Sequence, residues 1–264
     1  MIGFNGGLIG RVRTTSSANS VPGVWTLREH VAAMQAFAWP GIEYDPYFAS
    51  VSLLLKGEGA NGSTTITDSS ANAFTVTASG DAQISTAQSK FGGASLAFGG
   101  SGDYLSVSDS SAFNMGTDNF TVEAWFYPRS PTGVDIILST ADPTDYEGFN
   151  LGRVGSAFYF SADAAGTGQP WSFEFVAGSF SVNTWNHIAG VRSGDVFTLY
   201  GNGVSLASGN YPITLRNNNN LIRVGGRTVL SQYFDGYVDE VRITKGIARY
   251  TANFTPPTQP FPIS

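Results

Sequence analysis

The stretch "NFTVEAWFYP", Asn119 to Pro128, alternates strictly. Phe120, Val122, Ala124 and Phe126 fall on one side of an extended chain, and Thr121, Glu123, Trp125 and Tyr127 on the other. Both sides are bulky, which predicts a strand in the middle of a sheet rather than at its edge. Working outward, "DVFTLYGNGVSLAS" reads as a hairpin, because Asn202-Gly203 supplies the positive φ values of a tight turn between two alternating runs. "FGGASLAFGGSGDYLSV", "GFNLGRVGSAFYFSAD", "WNHIAGVRSGD", "NLIRVGG" and "FDGYVDEVRIT" are further alternating or apolar runs separated by Gly, Asn and Asp. The run "RNNNN", Arg216 to Asn220, reads as a loop, since Asn tolerates left-handed backbone. So many short strands predict an all-β, two-sheet antiparallel sandwich.

Composition agrees. The 264 residues are 42% hydrophobic and 13% aromatic, with 32 glycines and only 13% charged residues. That suits a turn-dense β protein with one large core. Lys and Arg total 14 against 20 Asp and Glu, for a net charge of -6, and the basic residues are scattered, so nucleic acid is not an expected partner. There is no cysteine, which excludes disulfides and thiolate chemistry, and the two histidines, His30 and His187, offer little to a zinc site. No apolar run is long enough to span a membrane, and the first twenty residues lack the apolar block of a secretory signal. The expectation is a protein made in a cytoplasm without membrane insertion.

The front of the chain has a different texture. "GVWTLREHVAAMQAFAWP", Gly23 to Pro40, places Val24, Leu27, Val31, Met34 and Ala38 at spacings of three and four, and Thr26 with Glu29 makes a capping box. This predicts a short helix behind a Gly/Ser/Thr-rich arm. A helix of about 12 residues is marginal alone in water and needs something to pack on, its own sandwich or another subunit. Trp25, Leu27, Val31, Met34 and Phe37 are the candidate assembly residues. After Pro40 the period changes from 3.6 to two, which puts the boundary near Asp45: residues 1–44 form an arm and helix, residues 45–264 the sandwich.

Few motifs carry chemistry. "GEGANG", Gly57 to Gly62, has the glycine spacing of a dinucleotide loop, but β-branched, turn-like residues follow it where a helix N-terminus is required. His187 stands on an alternating strand without a triad around it and reads as a satisfied strand histidine. Asp239-Glu240 are adjacent on a strand, so alternation turns them to opposite faces, and Glu123 has no carboxylate at i+2 or i+4. Neither supplies the acid pair of a glycosidase. Two readings stand for Asp68, Asn72 and Asp239: oxygen ligands of one calcium ion, or an Asx-turn and backbone acceptors. Asp142 and Tyr146 in "STADPTDYEGFN", and Gln169 and Trp171 in "AAGTGQPWSFEF", combine an aromatic surface with polar groups, as carbohydrate sites do.

The tail "FDGYVDEVRITKGIARYTANFTPP", Phe234 to Pro257, resembles the closing strand of concanavalin A-like, laminin-G-type jelly rolls. The other runs follow in that family's order over residues 48–257. The resemblance implies two curved sheets of about six or seven strands, ligands at loops or on the concave face, and often one calcium ion; the E-x-D-x-x-E strand of the family's glucanase branch is absent. Residues 6–70 are similar to the front ends of structural proteins of tailed bacteriophages, cyanophages included. Together these imply a non-enzymatic virion protein, a tail fibre, appendage or capsid decoration. Its partners would be other virion proteins, further copies of itself in a trimer, and host surface polysaccharide. A free lectin-like module is the alternative, and a glycoside hydrolase a more distant one.

Overall fold

The alternation of "NFTVEAWFYP" becomes the centre of a two-sheet sandwich. The computed structural model describes residues 8–9, 24–25, 44–140, 148–164, 172–215, 221–227 and 231–264. The chain divides into two compact units, Met1–Pro46 with Pro262–Ser264, and Tyr47–Phe261.

In the first unit, strands β1 (Leu8–Ile9) and β2 (Val24–Trp25) pair antiparallel, Leu8 opposite Trp25. This corrects the expected helix start: Val24 and Trp25 are extended. Helical spacing of side chains carries no information about a distant partner, and the pairing with Leu8–Ile9 satisfies the backbone groups that a first helical turn leaves open. The other assembly candidates, Leu27, Val31, Met34 and Phe37, lie outside the described residues, as does "RNNNN".

The second unit contains both large sheets. Strands β3 (Val51–Leu55), β5 (Gln83–Ser85), β6 (Ser95–Gly99), β8 (Phe120–Pro128), β13 (Asn186–Ser193), β14 (Val196–Gly201), β15 (Val204–Asn210) and β19 (Asp235–Lys245) make an eight-stranded sheet in the order β15-β14-β13-β8-β19-β6-β5, with β3 also on β19. Strands β4 (Val76–Ser79), β7 (Tyr104–Val107), β9 (Val134–Ser139), β10 (Gly148–Val154), β11 (Ala157–Asp163), β12 (Phe173–Ala177) and β16 (Ile222–Val224) make a seven-stranded sheet in the order β12-β11-β10-β9-β16-β7-β4. A small ribbon joins β17 (Gly226–Arg227) to β18 (Gln232–Tyr233). The only helical turns among the described residues are two three-residue 3-10 segments, Phe48–Ser50 and Ser111–Phe113.

As its two bulky faces require, β8 lies between β13 and β19. Phe120, Val122, Ala124 and Phe126 enter the core between the sheets. There Phe120 meets Phe149 of the opposite sheet at 5.8 Å between ring centroids, and Phe126 meets Phe158 edge-on at 5.9 Å. Each such ring, fully buried, contributes roughly 1.5–3 kcal/mol. The β14–β15 hairpin turns on Asn202 (φ 49°) and Gly203 (φ 80°). Gly203 has a second duty: a Cβ there would stand 2.0 Å from the Phe254 carbonyl oxygen, and its own carbonyl accepts the Phe254 N–H at 2.9 Å.

Strand β19 carries the main irregularity. Its pairing with β8 slips between Asp239 and Arg242, where Glu240 sits at φ 50°. On its other side the neighbour changes at the same place, from β6 (up to Val238) to β3 (from Val241). The bulge inserts one extra residue, so the expected opposition of Asp239 and Glu240 fails. Asp239 accepts the Lys90 and Phe91 N–H groups, and Glu240 accepts the Phe261 N–H at 2.8 Å. Phe91 packs against Trp125 and Phe261 beneath Arg242, so both carboxylates serve segments covering the outer side of the sheet.

Candidate functional site

The outer faces of the two sheets differ in chemistry. On the eight-stranded sheet, Glu123 is fully buried and saturated: Oε1 accepts Arg242 Nε at 2.9 Å and Nη2 at 2.8 Å, while Oε2 accepts the Tyr250 hydroxyl at 2.7 Å and lies 3.2 Å from His187 Nε2. Burial opposes ionisation here, but the Arg242 charge and the His187 hydrogen bond outweigh it and hold the carboxyl well below the ordinary range. Tyr250 and Phe254 stack at 3.6 Å over this cluster, and Phe254 also contacts the His187 ring edge-on at 5.7 Å. Burial, and then the Glu123 charge, push the Tyr250 hydroxyl well above its usual pKa. His187 thus joins this structural cluster through Nε2, while its Nδ1 is buried without a hydrogen-bond partner. Asp239 and Glu240 are buried beside this cluster, and that burial raises them to about 7 and about 8. These groups are buried and bond to one another and to the segments that cover the sheet.

The seven-stranded sheet presents the opposite arrangement. Its register aligns Thr77, Ser106, Arg223, Ser139, Asn150, Ser161 and Glu174, one residue from each strand, in a single row across the sheet. At the usual strand spacing the row is about 29 Å long. Apolar neighbours on the same strands, such as Leu105, Val224, Leu138, Leu151 and Phe160, point into the core, so alternation forces this row outward. Its centre is a directed chain of hydrogen bonds. Ser139 Oγ donates to Asn150 Oδ1 at 2.7 Å, Asn150 Nδ2 donates to Ser161 Oγ at 3.3 Å, and the Tyr159 hydroxyl donates to Ser161 Oγ at 2.9 Å. Arg227 Nη1 reaches Asn150 Oδ1 at 3.4 Å, and Tyr159 reaches Glu174 at 3.4 Å. Burial pushes the Tyr159 hydroxyl up to about 12, so it stays a donor. The row runs from exposed ends at Thr77 and Glu174 through a buried centre at Ser139, Asn150 and Ser161. Such a line, as buried at its centre as Glu123 and facing solvent at Thr77, Ser106 and Glu174, has the hydroxyl, amide and guanidinium groups that a chain of hydroxyl-bearing units takes.

The carbohydrate candidates Asp142, Tyr146, Gln169 and Trp171 lie outside the described residues. They fall in the connections between β9 and β10 and between β11 and β12, the strands that supply Ser139, Asn150 and Ser161. Asp68 fixes a turn: Oδ1 accepts the Leu54 and Ser70 N–H groups, and Oδ2 accepts the Ser70 hydroxyl and the Phe74 N–H. Its acceptor positions are filled by the protein, Asn72 spends its amide on the Ser52 carbonyl, and Asp239 has a different set of partners. Asp68 and Asp239 thus both accept hydrogen bonds from protein N–H groups, each from a different segment. No group of three or more His, Asp or Glu side chains suited to a metal occurs among the described residues. The polar row itself escaped sequence reading. Its signal, a polar residue at an outward position of each strand, becomes meaningful only once the register is known.

This architecture defines an antiparallel jelly roll with one sealed and one polar outer face. A family model described as the concanavalin A-like lectin/glucanases superfamily matches residues 98–248, and the chain belongs to that family. Among solved structures, the chain is similar to the binding domain of Paraclostridial mosquitocidal protein 1 (TM-score 0.60, 16% identity, covering 76% of this chain and 50% of that one). It is also similar to the binding domain of botulinum neurotoxin serotype G (TM-score 0.57, 15% identity, 75% and 48%). A third similar structure is domain 4 of an extracellular arabinanase from Geobacillus stearothermophilus, in complex with arabinotriose (TM-score 0.55, 17% identity, 75% and 94%). The chain thus spans about half the length of the two toxin domains. No curated protein sequence matches it significantly.

Proposed function

We propose that this protein is a non-enzymatic glycan-binding jelly roll displayed on a tailed-phage virion, as a tail fibre, appendage or capsid decoration. The observation that carries the binding role is the polar row across the seven-stranded sheet. Its central hydrogen-bonded groups are held by strands rather than loops, which is the preorganisation that weak sugar contacts require. The arabinotriose complex of the arabinanase domain supports the same use of this fold. The virion placement rests on the resemblance of residues 6–70 to phage structural proteins, and the arm is the proposed attachment and trimerisation element. Repetition on a particle multiplies weak contacts with host polysaccharide. The non-catalytic reading is supported by the closed state of Glu123, which has no acceptor capacity left for a substrate proton.

The test is a glycan array probed with the full-length protein and with Asn150→Leu. Asn150 ties Ser139 and Ser161 of the row to Arg227, so its loss is expected to weaken binding about tenfold while the circular dichroism spectrum is retained. Unchanged binding would overturn the assignment of this face. Mass spectrometry of purified virions tests the placement, and light scattering of the full chain against one starting at Tyr44 tests the trimer.

A further inference from the structure

Four arginines of the second unit are matched with acids. Arg129 faces Asp235, Arg153 faces Asp135, Arg192 faces Asp195 and Arg242 faces Glu123. Arg223 breaks the pattern. It is only 7% exposed, no carboxylate pairs with it among the described residues, and its Nε is shielded from solvent without a hydrogen-bond partner. Its side chain leaves the sheet on the outer face, since Ile222 and Val224 on either side enter the core. The residues directly opposite on the flanking strands are Ser106 and Ser139, neutral hydroxyls that bring no negative charge. A shielded, uncompensated guanidinium is costly, and an apolar side chain of similar volume would be cheaper. Arg223 stands in the middle of the polar row, between Ser106 and Ser139.

We propose that Arg223 recognises the carboxylate of an acidic sugar, of the uronic or sialic type, in a glycan lying along the row. The inference rests on the glycan-binding reading of this face and adds the ligand class. The planar guanidinium fork suits a carboxylate, which it can hold through two parallel hydrogen bonds. Ser106, half-buried beside Arg223, supplies a neutral contact of the kind that sugar hydroxyls take. A densely charged polyanion fits poorly, because the chain carries a net charge of -6 and Glu174 closes one end of the row. An arginine between neutral serines, with Glu174 at the end of the row, suits a sparsely charged chain.

An array of neutral and carboxylated oligosaccharides, probed with the full-length protein, tests this, with the same acidic glycans presented as methyl esters. Free acids are expected to bind about tenfold to a hundredfold more tightly than their esters, the gain falling with added salt. Arg223→Met should abolish that preference, and Arg223→Lys, which keeps charge but not the fork, should retain part of it. Equal binding of acid and ester, or a preference that survives Arg223→Met, would overturn the inference. Hits confined to neutral glycans would also overturn it and leave the glycan-binding reading standing. Absence of any hit would overturn both. The ester comparison needs no variant, so a folding defect in one cannot mask the answer.

Discussion

The two outer faces of this sandwich both bury arginine, yet they treat its charge in opposite ways. On the eight-stranded sheet Arg242 delivers two hydrogen bonds to Glu123, and His187 and Tyr250 fill the remaining acceptor positions beneath the stacked Tyr250 and Phe254 rings. On the seven-stranded sheet Arg223 stands between two serines, and no carboxylate among the described residues pairs with it. The first charge belongs to a finished network and holds strands together. The second lacks such a network, which is how the proposed binding face differs from the structural one although both look polar in sequence.

The comparison is broken most directly at its balanced end. Glu123→Gln strands the buried Arg242 guanidinium and is expected to destabilise the sandwich by about 3–5 kcal/mol, read as a lower urea midpoint with unchanged slope. A loss below about 1 kcal/mol would mean the cluster is no more than a surface ion pair. Next in size, Phe254→Ala removes half of the stacked lid and should cost about 2 kcal/mol. Faster amide exchange along β13 is expected with it, as water reaches His187.

Glu240 offers a pH-resolved version of the same contrast. Its burial raises the carboxyl to about 8, so the folded state holds a proton that the unfolded chain releases near the ordinary value. Stability from this group is therefore full at acid pH and lost as pH rises through about 8, with Asp239 adding the same trend near 7. Glu240→Gln keeps an oxygen for the Phe261 N–H. The variant should match the parent near pH 5 and exceed it by roughly 1–3 kcal/mol near pH 9 in thermal melts. A constant offset across pH would show that Glu240 does not titrate in this window.

The smallest stability effect belongs to Arg223. Arg223→Met is expected to leave the urea midpoint within about 1 kcal/mol of the parent, or raise it, because no partner is stranded. A loss as large as that of Glu123→Gln would erase the distinction between the faces.

Much of the fold was legible in the chain because its signals are local. The alternation of Phe120 to Tyr127 placed β8 mid-sheet, and Asn202-Gly203 placed the hairpin, since side-chain period and positive φ are properties of a few adjacent residues. The failures lie where partners are distant. Val24, on the helical stripe, and Trp25, inside the stretch read as helix, pair with Leu8–Ile9 as strand. Asp239 and Glu240 should alternate, but the bulge, set where β19 exchanges β6 for β3, turns both to the outer side.

By itself, then, the sequence determined the fold class, the inward set of apolar residues and the type of the tightest turn. Only the tertiary structure decided which outward polar groups are sealed and which form a row. Glu123 and Arg242 are 119 positions apart, and the row gathers residues from Thr77 to Arg223. Alternation tells a side chain which face it is on, but register and the covering segments decide what it meets there, and those depend on free energies summed over the whole sandwich.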